Sequence, residues 1–466
     1  MKRTLMTFGL LALLAANPAS AQLDMTQYVA LGDSFTAGFV NGGLVDCYQM
    51  NSFPAILANQ ANAPSFEMPL ISPPGVPPIL ELASLAGGIP ILVPAGELED
   101  AFPYNVTYEL PYNNLGVPGA TLYDLLFQIG DLANLAAGDL EHIMFDLILR
   151  IPQIVDPGTG DPVDFTAVVQ AVALQPTFVT MWIGYNDVLP GVYTATPIEG
   201  VTMTPVDTFA FLYPQAVGAL VTQTAADIVL FTVPDPSETA FATTVPPFLE
   251  IPGVGVVPIM GSNGPLSADS LVTLPASALL AQGYGIPFPG YPPLPEDLNL
   301  ITGEPGYVLR PDEVAAVRDQ VAAFNQIIVA TAAQFGLPVF DAADIFHEAY
   351  TEGVELGAVT FDGSYLTGGL ISYDGLHPQQ FGHWALATAL VEFLNDTYGA
   401  GIEPIDLSSI MFTNPCSPLP TPFYGIDPAT VIFSPESRQY LDMLFMPELP
   451  KAGPAPRREA TTSSVN

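Results

Sequence analysis

The sequence predicts an α/β protein whose core is a parallel sheet covered by helices on both faces. Apolar runs with strand character alternate with segments whose apolar residues recur at helical spacing. Short polar motifs follow directly after several of the apolar runs. Because ligands of open α/β sheets bind outside the carboxyl ends of the strands, a functional site is expected where these motifs meet.

In the amino-terminal half, two strands and two helices stand out. Residues 28–31 (Tyr-Val-Ala-Leu) form the first predicted strand. A helix is expected over 52–59, with a proline near its first turn, where proline is tolerated. The leucines of residues 121–137 recur at helical spacing and predict a second helix. The apolar run 177–183 predicts a buried strand that ends just before a polar motif.

The carboxyl-terminal half continues the alternation. Residues 206–224 predict a helix and 227–233 a strand. The segment that opens at Pro311 predicts another helix, with a stripe of apolar side chains on one side. A short strand is expected at 337–340, and a helix over 379–398 closes the core.

Two long stretches rich in proline, glycine and aliphatic residues interrupt the core, at about 61–106 and 237–310. They are either rigid, packed surface loops or an apolar rim over the site that receives an acyl chain. Residues 401–450 are expected to form an extension packed on the core, with a helix starting near Ser434. The composition of residues 451–466 is typical of a disordered tail.

The amino terminus has the pattern of a secretory signal peptide. Two basic residues precede an apolar run over 5–16, and Ala19-Ser20-Ala21 forms a small-residue cleavage site. The apolar run is too short for an ordinary transmembrane helix, and we find no second membrane-length segment. We therefore expect residues 1–21 to be removed and the protein to be secreted, in a periplasmic or extracellular location without a stable membrane anchor.

The charge balance excludes some partners. The formal net charge is −38, and it becomes −40 once the cations Lys2 and Arg3 leave with the signal peptide. Nucleic acid is not an expected partner, because its phosphates would be repelled. Anionic membrane surfaces would be repelled for the same reason. A salt-rich habitat would also explain the imbalance, although charged residues make up only 12% of the chain.

Two cysteines, Cys47 and Cys416, are present. In an oxidising compartment an even cysteine count favours a disulfide. Such a bond would tie the loop after the first strand to the segment beyond the last core helix. The alternative is two separate thiols, and neither cysteine stands in a histidine motif that would indicate a nucleophile.

Two motifs far apart in the sequence supply the parts of an activated serine. A Gly-Asp-Ser motif places the hydroxyl of Ser34 just after the first strand. An Asp-Gly-Leu-His segment, from Asp374 to His377, places a carboxylate and an imidazole on one short loop. In such an arrangement the serine attacks, the histidine takes its proton, and the aspartate fixes the histidine tautomer.

Two further segments carry donors suited to a developing oxyanion. One is the Asn-Leu-Gly-Val-Pro-Gly-Ala-Thr segment at 114–121, and the other is the Gly-Tyr-Asn-Asp segment at 184–187. The backbone amide of Gly119 and the side chain of Asn186 are the expected donors. Gly116 competes with Gly119 for the first of these roles.

The four motifs, in this order, resemble the blocks of the SGNH (GDSL) hydrolase family. The resemblance runs from about residue 27 to 395 and implies a catalytic domain over 22–400. It also implies a flavodoxin-like, three-layer α/β/α core of five strands. The family's chemical positions fall on catalytic Ser34, Asp374 and His377, and on an oxyanion hole of Ser34, Gly119 and Asn186.

The other histidines give no comparable pattern. His142, His347 and His383 are expected to be ordinary surface or hydrogen-bonded histidines. The chain has no Gly-x-Ser-x-Gly elbow, which argues against an α/β-hydrolase. It also shows no Walker loop, zinc-protease motif, Cys-x-x-Cys pair or calcium loop, so the sequence gives no reason to expect a cofactor or a metal.

These observations predict a secreted serine esterase or lipase that acts on a small-molecule or lipid-like ester. The apolar insertions favour acyl-chain esters. The alternatives are a carbohydrate O-acetylesterase, which needs only a small acyl pocket, and a surface binding module without activity. The remaining carboxylates of the motifs, Asp33 and Asp187, are expected to accept hydrogen bonds from loop amides.

Overall fold

The computed structural model describes residues 23–85, 88–156, 158–356, 359–407 and 426–447. Its central sheet has five strands, all parallel, in the order β2-β1-β3-β4-β5. This is the flavodoxin-like order. The strands are β1 (Tyr28–Gly32), β2 (Asn114–Gly116), β3 (Phe178–Trp182), β4 (Asp227–Phe231) and β5 (Val339–Phe340).

Burial explains why these runs form the sheet. Every residue of β1 and β3 is buried, as expected for parallel strands that are covered on both faces. The register pairs Tyr28 with Phe178 and Gly32 with Trp182, so the two strands end at the same edge. The predicted strands therefore deliver their following motifs to one edge of the sheet.

Helices cover the sheet in two groups. In one, α4, α7, α9 and α12 contact one another, and in the other, α3 packs on α14. The helices are α1 (Ser34–Ala37), α2 (Asp46–Gln49), α3 (Phe53–Gln60), α4 (Leu122–Phe127), α5 (Leu132–Ala137), α6 (Ile143–Ile148), α7 (Ala167–Ala173), α8 (Leu189–Tyr193), α9 (Val206–Gln223), α10 (Ala240–Thr243), α11 (Ala276–Leu280), α12 (Pro311–Phe335), α13 (Ala342–Thr351), α14 (Gln380–Tyr398) and α15 (Pro435–Phe445).

The prediction of a single helix over 121–137 is wrong, because the structure divides this segment into α4 and α5. A Cβ atom on Gly130 would lie 2.0 Å from the carbonyl oxygen of Phe145, so the chain at this point is pressed against α6. Asp131 then caps α5 by accepting a hydrogen bond from the amide of Ala133. The leucine spacing alone could not reveal this tertiary contact.

The two insertions and the C-terminal segment build small sheets outside the core. The first insertion and the C-terminal segment share a three-stranded sheet, and the second insertion consists largely of short antiparallel pairs. The shared sheet consists of Leu80–Ser84, Ile91–Pro94 and Ile432–Phe433. The pairs of the second insertion are Phe248–Ile251 with Gly255–Pro258, Met260–Gly261 with Gly264–Pro265, and Leu271–Val272 with Val308–Leu309. Two more antiparallel pairs lie elsewhere in the chain, Gln153–Val155 with Pro162–Asp164 and Val354–Leu356 with Val359–Phe361.

A buried ion pair fixes the end of the second insertion. The guanidinium of Arg310 donates to both carboxylate oxygens of Glu296, at 2.6 and 2.9 Å. Glu296 is almost fully buried, and it also accepts from the amide of Asn263 at 2.6 Å. The insertion is therefore tied to the residue that precedes α12.

Several sequence-based expectations concern residues outside the described part of the chain. These are the signal peptide over 1–21, the tail over 451–466 and Cys416. Cys47 lies half-buried in α2, and its pairing with Cys416 stays a prediction. Among the described residues, no helix combines the length and apolar character needed to cross a membrane.

Candidate active site

Ser34 stands at the first position of α1, directly after β1. Asp33 caps this helix by accepting a hydrogen bond from the amide of Phe35 at 3.0 Å. A glycine is required at position 32, directly before Asp33, because a Cβ atom there would lie 2.4 Å from the backbone oxygen of Trp182. The sharp change from strand to helix therefore holds the hydroxyl at the edge of the sheet, where it is fully buried.

The structure brings Ser34, His377 and Asp374 together in one hydrogen-bonded chain. The Oγ of Ser34 lies 2.8 Å from Nε2 of His377. The Nδ1 of the same ring lies 3.1 Å from Oδ2 of Asp374. All three side chains are buried. With Nδ1 donating to the carboxylate, Nε2 is left as the acceptor that a serine hydroxyl requires.

Backbone amides hold the carboxylate of Asp374 in place. Its Oδ1 accepts from the amides of Leu376 at 2.8 Å and His377 at 2.9 Å, and its Oδ2 accepts from Gly42 at 3.0 Å. Burial by itself raises the pKa of Asp374, but the charge of His377 and the hydrogen bonds from its ring and its amide outweigh burial and leave the pKa below its ordinary value. The group is therefore a carboxylate at neutral pH.

Gly119 and Asn186 meet at a cavity beside this chain of side chains. Both line the cavity, and the Nδ2 of Asn186 donates to the carbonyl of Ala120 at 3.0 Å. Gly116 is placed differently, inside β2, and its amide donates to Oδ1 of Asn114 at 2.9 Å. A Cβ on Gly116 would also lie 2.5 Å from the amide nitrogen of Ala37, so close packing explains this glycine.

The remaining carboxylates of the motifs accept hydrogen bonds from backbone amides, as expected, but these amides lie in the first turns of α1 and α4 and not in loops. Asp187 accepts from the amide of Leu122 at 2.9 Å and from the hydroxyl of Thr204 at 2.7 Å. Burial raises the pKa of Asp187 to about 6. Burial, together with the charge of Asp187, raises the pKa of Asp33 to about 8, so Asp33 is mainly protonated at neutral pH.

The other histidines take three different positions. His347 is half-exposed and its Nδ1 lies 2.8 Å from Glu238, which raises the pKa of its ring. His383 is buried in α14, where burial, and next the charge of His377, lower its pKa to about 3. His142 lines the cavity, which nothing in its sequence context indicates.

The cavity that Gly119 and Asn186 line has a volume of about 550 Å³. Its walls come from residues 118–128, the start of α6, residues 186–190 and 200–205, and the end of α15. Apolar and polar side chains share the lining in roughly equal measure. The apolar members are Ile143, Met144, Phe145, Val201, Met203, Met443, Leu444, Phe445 and Met446, and the polar members include Asp124, Gln128, Glu141 and His142.

The C-terminal segment closes the site on one side. The ring of Phe445 lies 5.6 Å from the ring of His377 and 5.7 Å from that of Tyr193, measured between centroids. Phe39 also packs on the ring of His377, at 4.9 Å, and its own ring lies 6.1 Å from that of Phe445. A Cβ on Gly119 would lie 3.2 Å from the carbonyl oxygen of Leu444. The sequence gives one signal for this contact, the apolar Met-Leu-Phe-Met run at 443–446.

Neither long insertion contributes to the cavity lining. No residue of 61–106 or 237–310 lines the cavity beside Gly119. The second insertion instead supports the loop from Asp374 to His377, because the amide of Phe241 donates to the carbonyl of Gly375 at 2.8 Å. Among the described residues, the insertions therefore match the first of the two alternatives, packed surface structure, and not an apolar rim over the site. Among the same residues, no group of carboxylates, histidines and cysteines is arranged to hold a metal ion.

A family model described as "GDSL-like Lipase/Acylhydrolase" matches residues 28–390. Similar solved structures include the lipase/acylhydrolase from Enterococcus faecalis, at 13% identity and a TM-score of 0.29, with 81% of this chain and 98% of that chain covered. They also include phospholipase A1 from Streptomyces albidoflavus NA297, at 15% identity and a TM-score of 0.30, with 78% of this chain and 98% of that chain covered. A third is the extracellular lipase from Streptomyces rimosus, at 14% identity and a TM-score of 0.30, with 79% and 99% covered. No curated protein matches this chain.

Proposed function

Since this chain belongs to the GDSL-like lipase/acylhydrolase family and is a carboxylic ester hydrolase, we propose that it is a secreted serine esterase that cleaves acyl-chain esters through an acyl-enzyme. One observation carries the proposal. The hydroxyl of Ser34, the ring of His377 and the carboxylate of Asp374 form a continuous hydrogen-bonded chain. This is the arrangement that turns a serine into a nucleophile at neutral pH.

In the acylation step, the Oγ of Ser34 attacks the ester carbonyl carbon and its proton passes to Nε2 of His377. The amides of Ser34 and Gly119 and the side chain of Asn186 stabilise the negative charge on the carbonyl oxygen. His377 then donates the proton to the leaving alcohol, the C–O bond breaks, and Ser34 is left acylated.

In the deacylation step, water takes the place of the alcohol. His377 removes a proton from the water, the resulting hydroxide attacks the acyl carbon, and the carboxylic acid leaves as Ser34 recovers its proton. Asp374 remains a carboxylate throughout and keeps the imidazole in the tautomer that accepts at Nε2. The three backbone amides on this carboxylate fix that orientation.

The composition of the cavity supports an acyl chain as the acid part of the substrate. Its walls carry four methionines and several aliphatic or aromatic side chains, and methionine adapts to chains of different shape. The polar group formed by Asp124, Gln128, Glu141 and His142 supports the second candidate, an O-acetylesterase acting on carbohydrate. The amino-terminal pattern of residues 1–21 supports export of the enzyme.

We expect Ser34→Ala to lower kcat by about 10⁴-fold or more, because the nucleophile is lost while the fold is kept. Asn186→Ala should lower kcat by about 10²–10³-fold, the loss typical of one oxyanion donor. The measurement is hydrolysis of chromogenic esters from C2 to C16 beside acetylated glycans. Ser65→Ala, at an exposed serine, is the matched control.

The outcomes separate the candidate functions. Activity that rises with chain length supports the acyl-chain ester, whereas release of acetate from glycans alone supports the O-acetylesterase. A Ser34→Ala protein that keeps its turnover, or a wild-type protein that no ester and no fluorophosphonate engages, would contradict the serine mechanism. The second result would favour a binding module without activity.

A further inference from the structure

We propose that residues 427–447, here called the roof, are a movable cover whose Phe445 controls access to Ser34 and selects esters with long acyl chains. This inference rests on the proposed function and adds a specificity-determining residue to it. The roof contains α15 and lies outside the four motifs of the sequence. Its role is argued from three independent features of the described residues: the burial of the nucleophile, the position of Phe445 and the attachment of the roof.

The first feature is that the nucleophile is closed off. Ser34 and His377 have no exposed surface, and neither lines the cavity that Gly119 and Asn186 line. Attack requires the carbonyl carbon to come within roughly 3 to 3.5 Å of Oγ. An ester carbonyl must contact the serine and the oxyanion donors at the same time. The structure therefore shows a closed state that must open before reaction.

The second feature identifies the side chain that must move. Phe445 both lines the cavity and packs on the ring of His377. It is 1% exposed, so it lies inside the protein between the cavity and the ring of His377. Phe445 therefore stands on the path by which an ester in the cavity would reach Ser34.

The third feature is the attachment of the roof, which involves both insertions. In the first insertion, Leu92 accepts hydrogen bonds from the amide of Ser434 at 2.9 Å and from the hydroxyl of Ser437 at 3.2 Å. In the second insertion, the hydroxyl of Ser277 donates to the carbonyl of Val431. The insertions thus hold the start of the roof. The end of the roof, which carries Phe445, is the part nearest the reacting groups.

The end of the roof is held to the core by a small polar clamp. The hydroxyl of Tyr193 donates to Oδ1 of Asp442 at 2.7 Å, and Arg438 donates to the same oxygen at 2.7 Å. The guanidinium of Arg438 also lies over the ring of Tyr193. Loss of the tyrosine hydroxyl should therefore favour the open state without touching the catalytic residues.

The cavity indicates what displaces Phe445. A long acyl chain would fill the space between Met144, Met203 and Met446, and its burial would replace the apolar contacts that Phe445 gives up. A two-carbon acyl group cannot fill this space, so it supplies less of the free energy needed to open the roof. The closed roof therefore discriminates against short esters.

The test compares Phe445→Ala with wild type in two assays. Labelling of Ser34 by a small fluorophosphonate should speed up by about tenfold or more, because its rate follows the fraction of open protein. The ratio of kcat/KM for C8 over C2 chromogenic esters should fall, because short esters no longer have to open the roof. Gln439→Ala, on the exposed side of α15, is the matched control and should leave both readouts unchanged.

Two further measurements keep the test decisive if Phe445→Ala does not fold. Tyr193→Phe should raise the labelling rate several-fold and keep the stacking of this ring on Phe241. Reaction of the wild-type enzyme with a long-chain fluorophosphonate should increase hydrogen exchange in α15. The proposed role of the roof would be overturned if a folded Phe445→Ala protein kept both the wild-type labelling rate and the wild-type ester ratio. It would also be overturned if neither Tyr193→Phe nor the hydrogen-exchange measurement gave the expected change. The serine mechanism would stand or fall separately, on Ser34→Ala.

Discussion

At the scale of single residues, two aspartates from different motifs, Asp374 and Asp33, carry opposite protonation states. Asp374 is surrounded by three amides and an imidazole and remains ionised. Asp33 has one amide on Oδ1, while its Oδ2 is buried without a hydrogen-bond partner. Burial therefore dominates and holds Asp33 protonated to about pH 8. The same residue type serves as an ion in one place and as a neutral cap in the other.

This difference predicts how stability changes with pH in Asp33→Asn. In the unfolded chain Asp33 ionises near pH 4, but in the folded protein it keeps its proton to about pH 8. The folded state binds the extra proton between these values, so the wild type loses stability as the pH rises through them. Asparagine keeps the cap and does not titrate. We expect the variant to gain stability relative to wild type from pH 4 to 8, and a constant difference above that.

Urea unfolding at several pH values between 4.5 and 9 measures this difference. Asp207→Asn, which changes an exposed acid in the first turn of α9, is the matched control. A difference between Asp33→Asn and wild type that is the same at every pH would show that Asp33 is ionised in the folded protein.

At the scale of elements, the sequence was sufficient where local pattern and burial agree. The buried apolar run at 177–183 became β3, and the stripe that opens at Pro311 became α12. Tertiary contact decided the rest. Only the folded structure shows that Gly119 lines the cavity while Gly116 packs in β2, and the position of Phe445 depended on a contact between segments more than sixty residues apart. The apolar run at 443–446 signals a buried segment, but no local pattern shows which residue that segment contacts.

The divided helix gives a prediction at this scale. Gly130→Ala should lower the free energy of unfolding by about 1–3 kcal/mol or more, because the added Cβ would meet the backbone of Phe145, which cannot turn aside. Gly218→Ala is the matched control: Gly218 lies inside α9 with its nearest neighbour 3.5 Å from the new Cβ, a ring atom of Phe335. It should stabilise the protein by about 0.4–1 kcal/mol.

Chemical denaturation of both variants measures the two values. Gly130 is pressed against Phe145 in α6, and Phe145 lines the cavity. Damage at this contact should therefore also alter the chain-length preference, while Gly218→Ala should leave it as in wild type. Equal stability of the two glycine variants would mean that the chain yields at Gly130 without cost.

At the scale of the whole molecule, most of the few basic side chains bind groups within the protein instead of balancing the acids of its surface. In the described part of the chain the basic side chains are Arg150, Arg310, Arg318 and Arg438. Arg150 donates to the carbonyls of residues 106, 108 and 110, Arg310 holds the second insertion, and Arg438 joins the roof clamp. Arg150, Arg310 and Arg438 therefore stabilise the interior of the fold, and few basic side chains remain to balance the charge of the surface acids.

The formal net charge of −38 therefore predicts a stability that depends on salt. Repulsion among surface acids destabilises the compact state. The screening length falls from about 30 Å at 0.01 M salt to about 8 Å at 0.15 M, so most of the repulsion should be removed within that range. We expect Tm to rise steeply between 0.01 and 0.3 M NaCl and to flatten above it. Calorimetry at fixed pH with NaCl and KCl compares the two cations, which should act alike if screening is the cause. A Tm that stays level below 0.3 M would mean that the surface acids are far enough apart, or neutralised enough, for their repulsion not to matter.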